Sequence, residues 1–542
     1  MSSDATRARL AGGAAVLGAL VVAAAGCQVE PTSTEPEPRA GSEVRDPRNG
    51  SEAPESRIPS PGAEAVGGAY EHVVAFAEIG ATHGNRASGE PGYEASRDYV
   101  VSRLERAGYW PVVQTFEYPY FQPLGDASVE LTDPDDVTLV QGEDFSLMTY
   151  SGAGRASGTV TGVDLALDTP AASDSGCEAS DFAEFPDGDI ALLQRGGCPF
   201  GQKVGHAEDA GAVAAIVSNQ GDSTDEGRQE LFLGDLRGPV AIPAVTVSFP
   251  TAQDLARTSP DATIVTDTVS EVRTTWNVLA ETEDGSADNV VMAGAHLDSV
   301  EAGPGINDNA SGSAALLETA EELATADQRP ANRIRFAWWG AEELRLLGSR
   351  YYVNDLMAND PEAFREVALY LNADMVASPN YMLGVYDGDR SESEGGSGSP
   401  PPGAGAIEEA FTRFFDDHGT GSVQTRLTAS SDHAPFVMQG VPAGGIFTGT
   451  GEPKTSEAAS MFGGTAGEPY DPCYHAECDG LDNVSREALA ANTAALLAVV
   501  TELGQSTEAV NGDATGHEPP ATGLRVREDR APLAPHYRGN FY

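Results

Sequence analysis

Five short segments of this chain hold the residue types that bind metal ions and move protons. They are Gly294-Ala295-His296-Leu297-Asp298-Ser299, Gly305-Ile306-Asn307-Asp308-Asn309-Ala310-Ser311-Gly312, Trp338-Trp339-Gly340-Ala341-Glu342-Glu343, Leu371-Asn372-Ala373-Asp374-Met375 and Cys473-Tyr474-His475-Ala476-Glu477-Cys478-Asp479. Taken singly, each has an ordinary explanation. Asp308 in a Gly/Asn-rich loop suits a turn. Glu342-Glu343 suits the acidic first turn of a helix. Asp374 at a strand end suits a helix cap. Five such coincidences in one chain argue for a site instead. Two His with several carboxylates make a nitrogen/oxygen donor set suited to zinc. Iron and copper fit it less well, and magnesium rarely takes His.

These segments need a frame to bring them together. Residues 289–295, 334–338, 367–372 and 444–448 read as strands, and residues 311–325 and 485–503 as helices. In the first helix Leu316, Leu317, Ala320, Leu323 and Ala324 share a face. Strands alternating with helices predict an α/β fold with a mixed, mainly parallel sheet flanked by helices. Ligands of such open sheets gather at the carboxyl ends of strands, where the segments would converge. Upstream, residues 70–109 read as helix, loop and helix, with Val100 and Leu104 four apart and Gly108 as a stop. Residues 112–116 read as a strand. Residues 128–270 carry many short β-like runs and read as an inserted β-rich domain.

Arg7 and Arg9 precede an apolar run from Leu10 to Gly26, the pattern of a secretory signal peptide over residues 1–26. The run is short and Ala/Gly-rich for a membrane span. Its end, Ala24-Ala25-Gly26-Cys27, resembles a bacterial lipobox, with Ala24 where Leu is usual. That resemblance implies cleavage before Cys27 and a lipid anchor on its sulfur. Residues 27–66 are rich in Pro, Glu, Ser and Gly and read as a disordered tether. The expected location is the outer face of the cell membrane as a lipoprotein, or the medium. No second apolar run stands out as long enough to span a bilayer. The body is expected to be split, over residues 67–127 and 271–505, around the insert at 128–270. A loosely ordered tail is expected over 506–542. With 542 residues, 40% hydrophobic, the chain can bury sizeable cores. Its net charge of −51 argues against nucleic acid or an anionic membrane surface as the main partner.

Together the five segments resemble the secreted bacterial leucyl aminopeptidase family, the co-catalytic di-zinc exopeptidases, over residues 70–119 and 274–504. The resemblance implies two Zn²⁺ ions: His296 and Asp374 hold one, Glu343 and His475 the other, and Asp308 bridges them. Glu342 is then the general base, taking a proton from the shared water, so that a metal-bridging hydroxide attacks the peptide carbonyl. Asp298 would accept from the far imidazole N–H of His296 and fix its tautomer. Tyr474 would donate to the tetrahedral oxyanion. The family also implies a cis peptide just after Asp308. Free carboxylate oxygens on Glu342 and Asp374 would meet the α-ammonium of a peptide with a free N-terminus. Met375 and Phe447 would line an apolar side-chain pocket. Alternatives on the same fold are a carboxypeptidase, expected to offer an Arg to the terminal carboxylate, and a glutaminyl-cyclase-like enzyme, generally with one zinc. An inactive binding lipoprotein is a third, against which the full set of ligands and base speaks. Where the family places Gly-Arg before Ser431-Asp432-His433, this chain has Ala429-Ser430. His433 is no ligand in the family, and His72, His83, His206, His418, His517 and His536 receive no role. Neither a calcium site nor an oligomeric state is legible.

The insert resembles a protease-associated domain. The resemblance is carried by Gly176-Cys177, Asp181-Phe182, the run from Ile190 to Phe200, Lys203 and Ala210-Gly211-Ala212. It implies a β-sandwich or open barrel with flanking helices, without catalytic groups of its own, placed where it could cover the active-site rim. Five cysteines then divide into a lipid anchor at Cys27 and two pairs. Cys473 and Cys478, which flank His475, are bridged in close relatives, and Cys177 and Cys198 lie in the insert. An oxidising, exported setting suits both pairs.

Overall fold

The computed structural model describes residues 63–132, 136–167, 173–223, 226–391, 400–512 and 514–517. The signal segment, Cys27, the tether up to residue 62 and the tail beyond residue 517 lie outside the described residues; residues 63–66, expected in the tether, instead open the helix Ala63–His83.

The body is built on one eight-stranded mixed sheet in the order β1-β10-β12-β11-β13-β16-β14-β15. These strands are β1 (Val112–Pro123), β10 (Thr268–Glu281), β11 (Ser286–His296), β12 (Asn332–Trp339), β13 (Val367–Ala373), β14 (Gly384–Asp387), β15 (Val423–Arg426) and β16 (Ala443–Phe447). The centre, β12-β11-β13-β16, is parallel, as strands joined by helices must be. The edge pairs β1-β10 and β10-β12 are antiparallel.

Period-two alternation sorts the central side chains to two faces. Val291, Ala293, Ala295, Ile334, Phe336, Trp338, Leu369 and Leu371 join one core with the helices Ala63–His83, Pro91–Ala107, Gly312–Thr325 and Arg486–Gln505. Met292, Ala337, Trp339 and Tyr370 face the other way, onto Tyr352, Phe364 and Phe436. Gly108 ends the second helix in the left-handed region, at φ 96°. Arg486–Gln505 is by length and hydropathy an apolar run able to cross a membrane, which the sequence pattern alone did not single out. Leu489, Leu496, Val499, Val500 and Leu503 are instead buried in the core.

The insert leaves the sheet after β1 and returns at β10, whose full lengths pair side by side. Its own strands are β2 (Ser128–Thr132), β3 (Val137–Leu139), β4 (Phe145–Leu147), β5 (Gly154–Gly162), β6 (Ile190–Gln194), β7 (Ala214–Ser218), β8 (Ala244–Val247) and β9 (Asp261–Thr266). They run in one order, β3-β2-β9-β5-β6-β7-β8-β4, in which two ladders share β5. The reason is the length of β5: residues 154–159 pair with β9, and residues 160–162 pair with β6. Separate apolar clusters, around Ile190, Leu192 and Ile216 and around Leu193, Val204 and Val217, form its core. Cys177 and Cys198 form a disulfide here.

The stretch after Gln505, expected to be loose, is docked as far as His517. Val510 is buried, Asn511 Nδ2 and the Gly516 N–H both donate to Asn289 Oδ1, and His517 Nδ1 lies 2.9 Å from the Val367 carbonyl.

Candidate active site

Three parallel strands deliver the site at their carboxyl ends. His296 is the last residue of β11, Glu342 and Glu343 follow β12, and Asp374 follows β13. Asp308 arrives on a turn, Ile306–Ser311, between β11 and the helix Gly312–Thr325. The peptide between Asp308 and Asn309 is cis.

That turn is zipped to the segment after β13 by its own polar side chains. Asn307 Oδ1 accepts the N–H of Ala377, Asn309 Oδ1 that of Met375, and Ser311 Oγ that of Val376. Asn309 Nδ2 donates back to the Ala373 carbonyl at 3.0 Å. Asp479 clamps the other side, accepting the N–H of Asn307 at 2.9 Å and of Asp308 at 3.0 Å. Burial pushes the Asp479 carboxyl up to about 7. Gly305 opens the turn at φ 60°, where a Cβ would stand 2.3 Å from the Asp308 carbonyl oxygen, so only glycine fits. The buried Arg86 guanidinium donates to the carbonyls of Leu297, Pro304 and Gly305, tying both loops together. Burial lowers its pKa to about 10.

The side chains so positioned form two adjacent groups, His296 with Glu342 and Asp374, and Asp308 with Glu343 and His475. His296 Nε2 lies 3.2 Å from both Asp374 Oδ1 and Asp308 Oδ1. His475 Nε2 lies 3.2 Å from Asp308 Oδ2 and 3.1 Å from Glu343 Oε2. Asp308 thus turns one oxygen to each histidine. Two donors on one tetrahedral zinc stand roughly 3.3 Å apart. The observed spacings match that value. Glu343 Oε1 is buried and lacks a hydrogen-bond partner among the described residues, as a metal-facing oxygen would. The electrostatics also favour added positive charge. Burial pushes Glu342 well up and Glu343 up to about 7, and the hydrogen bonds His475 donates to the Asp308 and Glu343 carboxylates hold it up to about 10. The donor set therefore fits a pair of divalent cations.

Supporting contacts differ in part from expectation. His296 Nδ1 bonds the main-chain carbonyl of Asp298 at 3.1 Å, and the Asp298 carboxylate stands off at 3.7 Å. That carboxylate is occupied elsewhere: it accepts the N–H of Glu342 at 3.1 Å and of Glu343 at 3.3 Å. Asp374 is oriented by Ser431, whose Oγ donates to Oδ2 at 2.6 Å and accepts from Asn372. His475 sits at φ 53°, between Cys473 and Cys478, which form a disulfide. Tyr474 stacks on it with ring centroids 3.9 Å apart, and burial raises its hydroxyl pKa, so it stays a donor. His433 is buried, bonds the Thr428 carbonyl and stands outside the ligand groups.

A cavity of about 1520 Å³ opens over these groups. Met375, Met382, Tyr386 and Phe447 line it beside the candidate ligands, and Tyr474 borders it. The insert supplies another wall, including Phe200, Leu233 and Arg237.

Residues 277–500 match the model of peptidase family M28, and residues 160–255 match the PA domain. An aminopeptidase of Pseudomonas aeruginosa is 43% identical over 455 residues, which cover 83% of this chain and 83% of that protein. The chain belongs to peptidase family M28. Other relatives include LpqL of Mycobacterium tuberculosis, named a probable lipoprotein aminopeptidase. It is 41% identical over 436 residues, 80% of this chain and 83% of its own. Leucine aminopeptidase 2 of Trichophyton equinum is 37% identical over 426 residues, 78% and 80% of the two chains. The expected kinship with aminopeptidases and the inserted protease-associated domain are both borne out.

Every expected ligand of this M28 site is brought to one place. Arg86, Asp479 and Ser431 were not singled out by sequence. Asp479 follows His475 by four residues and Ser431 directly precedes Asp432-His433, but nothing in their residue types announces an anchoring role. Arg86 carries no local signal.

Proposed function

We propose that this chain is an exported aminopeptidase with two Zn²⁺ ions, removing apolar N-terminal residues from peptides. The observation that carries the reading is Asp308, with its two oxygens at 3.2 Å from His296 Nε2 and His475 Nε2. His296 and Asp374 would hold one ion, Glu343 and His475 the other, and Asp308 both. Bound there, zinc lowers the pKa of water and polarises a carbonyl. Glu342, one residue from a ligand and fixed through its N–H by Asp298, takes the proton from the attacking water and hands it to the leaving amine. The Tyr474 hydroxyl donates to the developing oxyanion. Carboxylate oxygens of Glu342 and Asp374 meet the α-ammonium, and Met375 and Phe447 receive the side chain. Relatives named aminopeptidase support cleavage at the amino end. The leader, Cys27, the two disulfides and a relative named a lipoprotein support export and a lipid anchor.

The test compares leucine p-nitroanilide with its N-acetyl form, using the zinc-loaded chain. Only the free amine should be cleaved, and Glu342→Gln should lower kcat by roughly 10²–10⁴-fold. Equal cleavage of the blocked substrate would overturn the reading.

A further inference from the structure

Away from the candidate metal ligands, the lining of this cavity runs against the charge of the chain. The chain has 83 Asp and Glu against 32 Lys and Arg. Outside the metal group, however, the charged residues lining this cavity are five arginines and two acids. The arginines are Arg195, Arg237, Arg345, Arg350 and Arg426. They come from separate parts of the fold: two from the insert, two from the segment after Glu343, and one from the end of β15.

The two acids are engaged locally. Asp235 Oδ1 accepts the N–H of Arg237 at 2.7 Å, and Glu452 Oε2 accepts the N–H of Thr450 at 3.2 Å. Arg195 lies over the Phe232 ring at 5.0 Å, and Arg350 Nη1 donates to the Arg345 carbonyl at 3.1 Å. Among the described residues, the guanidinium groups of Arg237 and Arg345 meet no carboxylate. Both are exposed in the cavity, one on each domain.

Cationic groups lining a cleft concentrate anions there, and a guanidinium matches a carboxylate in shape and donor spacing. A peptide held by its amino end at the metals extends into this cavity at about 3.3 Å per residue. Its anionic group on the leaving side is the terminal carboxylate. The geometry points to Arg237 and Arg345 as a clamp for that α-carboxylate, so that the favoured substrates are short peptides with a free C-terminus. The insert then has a substrate-binding part, not only a covering one. This inference rests on the amino-end reading above.

The experiment measures binding to the zinc-loaded Glu342→Gln chain, where turnover is suppressed. The probes are peptides of Leu followed by one to four Gly, each as free acid and as C-terminal amide. At the best length the acid should bind about tenfold tighter than the amide, and the gap should close at high salt. In the double variant Arg237→Gln/Arg345→Gln the gap should fall to about twofold or less, the amide serving as the folding control within each variant. Equal binding of acid and amide at every length would overturn the clamp. So would a gap that survives in the double variant. Cleavage of N-acetylated peptides by the parent chain would contradict the amino-end reading instead, leaving the acid–amide comparison to decide the clamp separately.

Discussion

The Asp298 carboxylate accepts the main-chain N–H of Glu342 at 3.1 Å. Its other oxygen takes the N–H of Glu343, and its carbonyl takes His296 Nδ1. One residue thus fixes the end of β11 relative to the loop that carries the proposed base. Asp298→Asn would set an NH₂ against a main-chain N–H. We expect kcat/KM to fall by about 10–100-fold, with zinc bound more weakly. Steady-state kinetics and zinc titration against a chelator check this. Unchanged values of both would show that the loop is held by other contacts.

Asp479 plays the matching part for Asp308. It accepts two turn N–H groups and Asn483 Nδ2, all inside the fold. Asp479→Asn should destabilise the chain by about 1–3 kcal/mol, because a buried N–H loses its acceptor. The urea midpoint reads this directly. An unchanged midpoint would remove Asp479 from the account of how the turn is anchored.

His433 gives the fold an acid sensitivity. Burial lowers its pKa from 6.5 to about 4, so the folded chain keeps it neutral. Above pH 6.5 both states hold it neutral, and it contributes nothing. As pH falls from 6.5 to 4 the unfolded chain binds the proton first, and stability drops by up to about 3 kcal/mol from this group. Gln at this position retains a donor for the Thr428 carbonyl. His433→Gln should therefore lose less stability than the parent between pH 7 and pH 4, read as the difference in urea midpoints. Equal losses would contradict it.

The proposed ligands were legible because each stands in a segment whose neighbours constrain it. Strand periodicity placed β11, β12 and β13 within a few residues of their observed bounds, and their ends carry His296, Glu342-Glu343 and Asp374. Less legible was everything that works by pairing across the fold. Asn307, Asn309 and Ser311 read as ordinary turn residues, yet each bonds an N–H about 65–70 positions away. Arg86 is an isolated cation on a loop until Leu297, Pro304 and Gly305 turn their carbonyls to it. Asp298 was expected to use its carboxylate on His296, but the short reach along the chain favours its carbonyl. The segment from Thr507 to His517 is polar and looked loose; its order comes from Asn289 and Val367, more than 130 residues earlier.

The central claim is that Asp308 joins two metal sites. Dialysis of the intact chain against zinc, followed by elemental analysis, tests it most directly. Two zinc ions per chain are predicted, with at least one lost in Asp308→Ala. A single zinc in the parent chain, or two retained by the variant, would contradict the account.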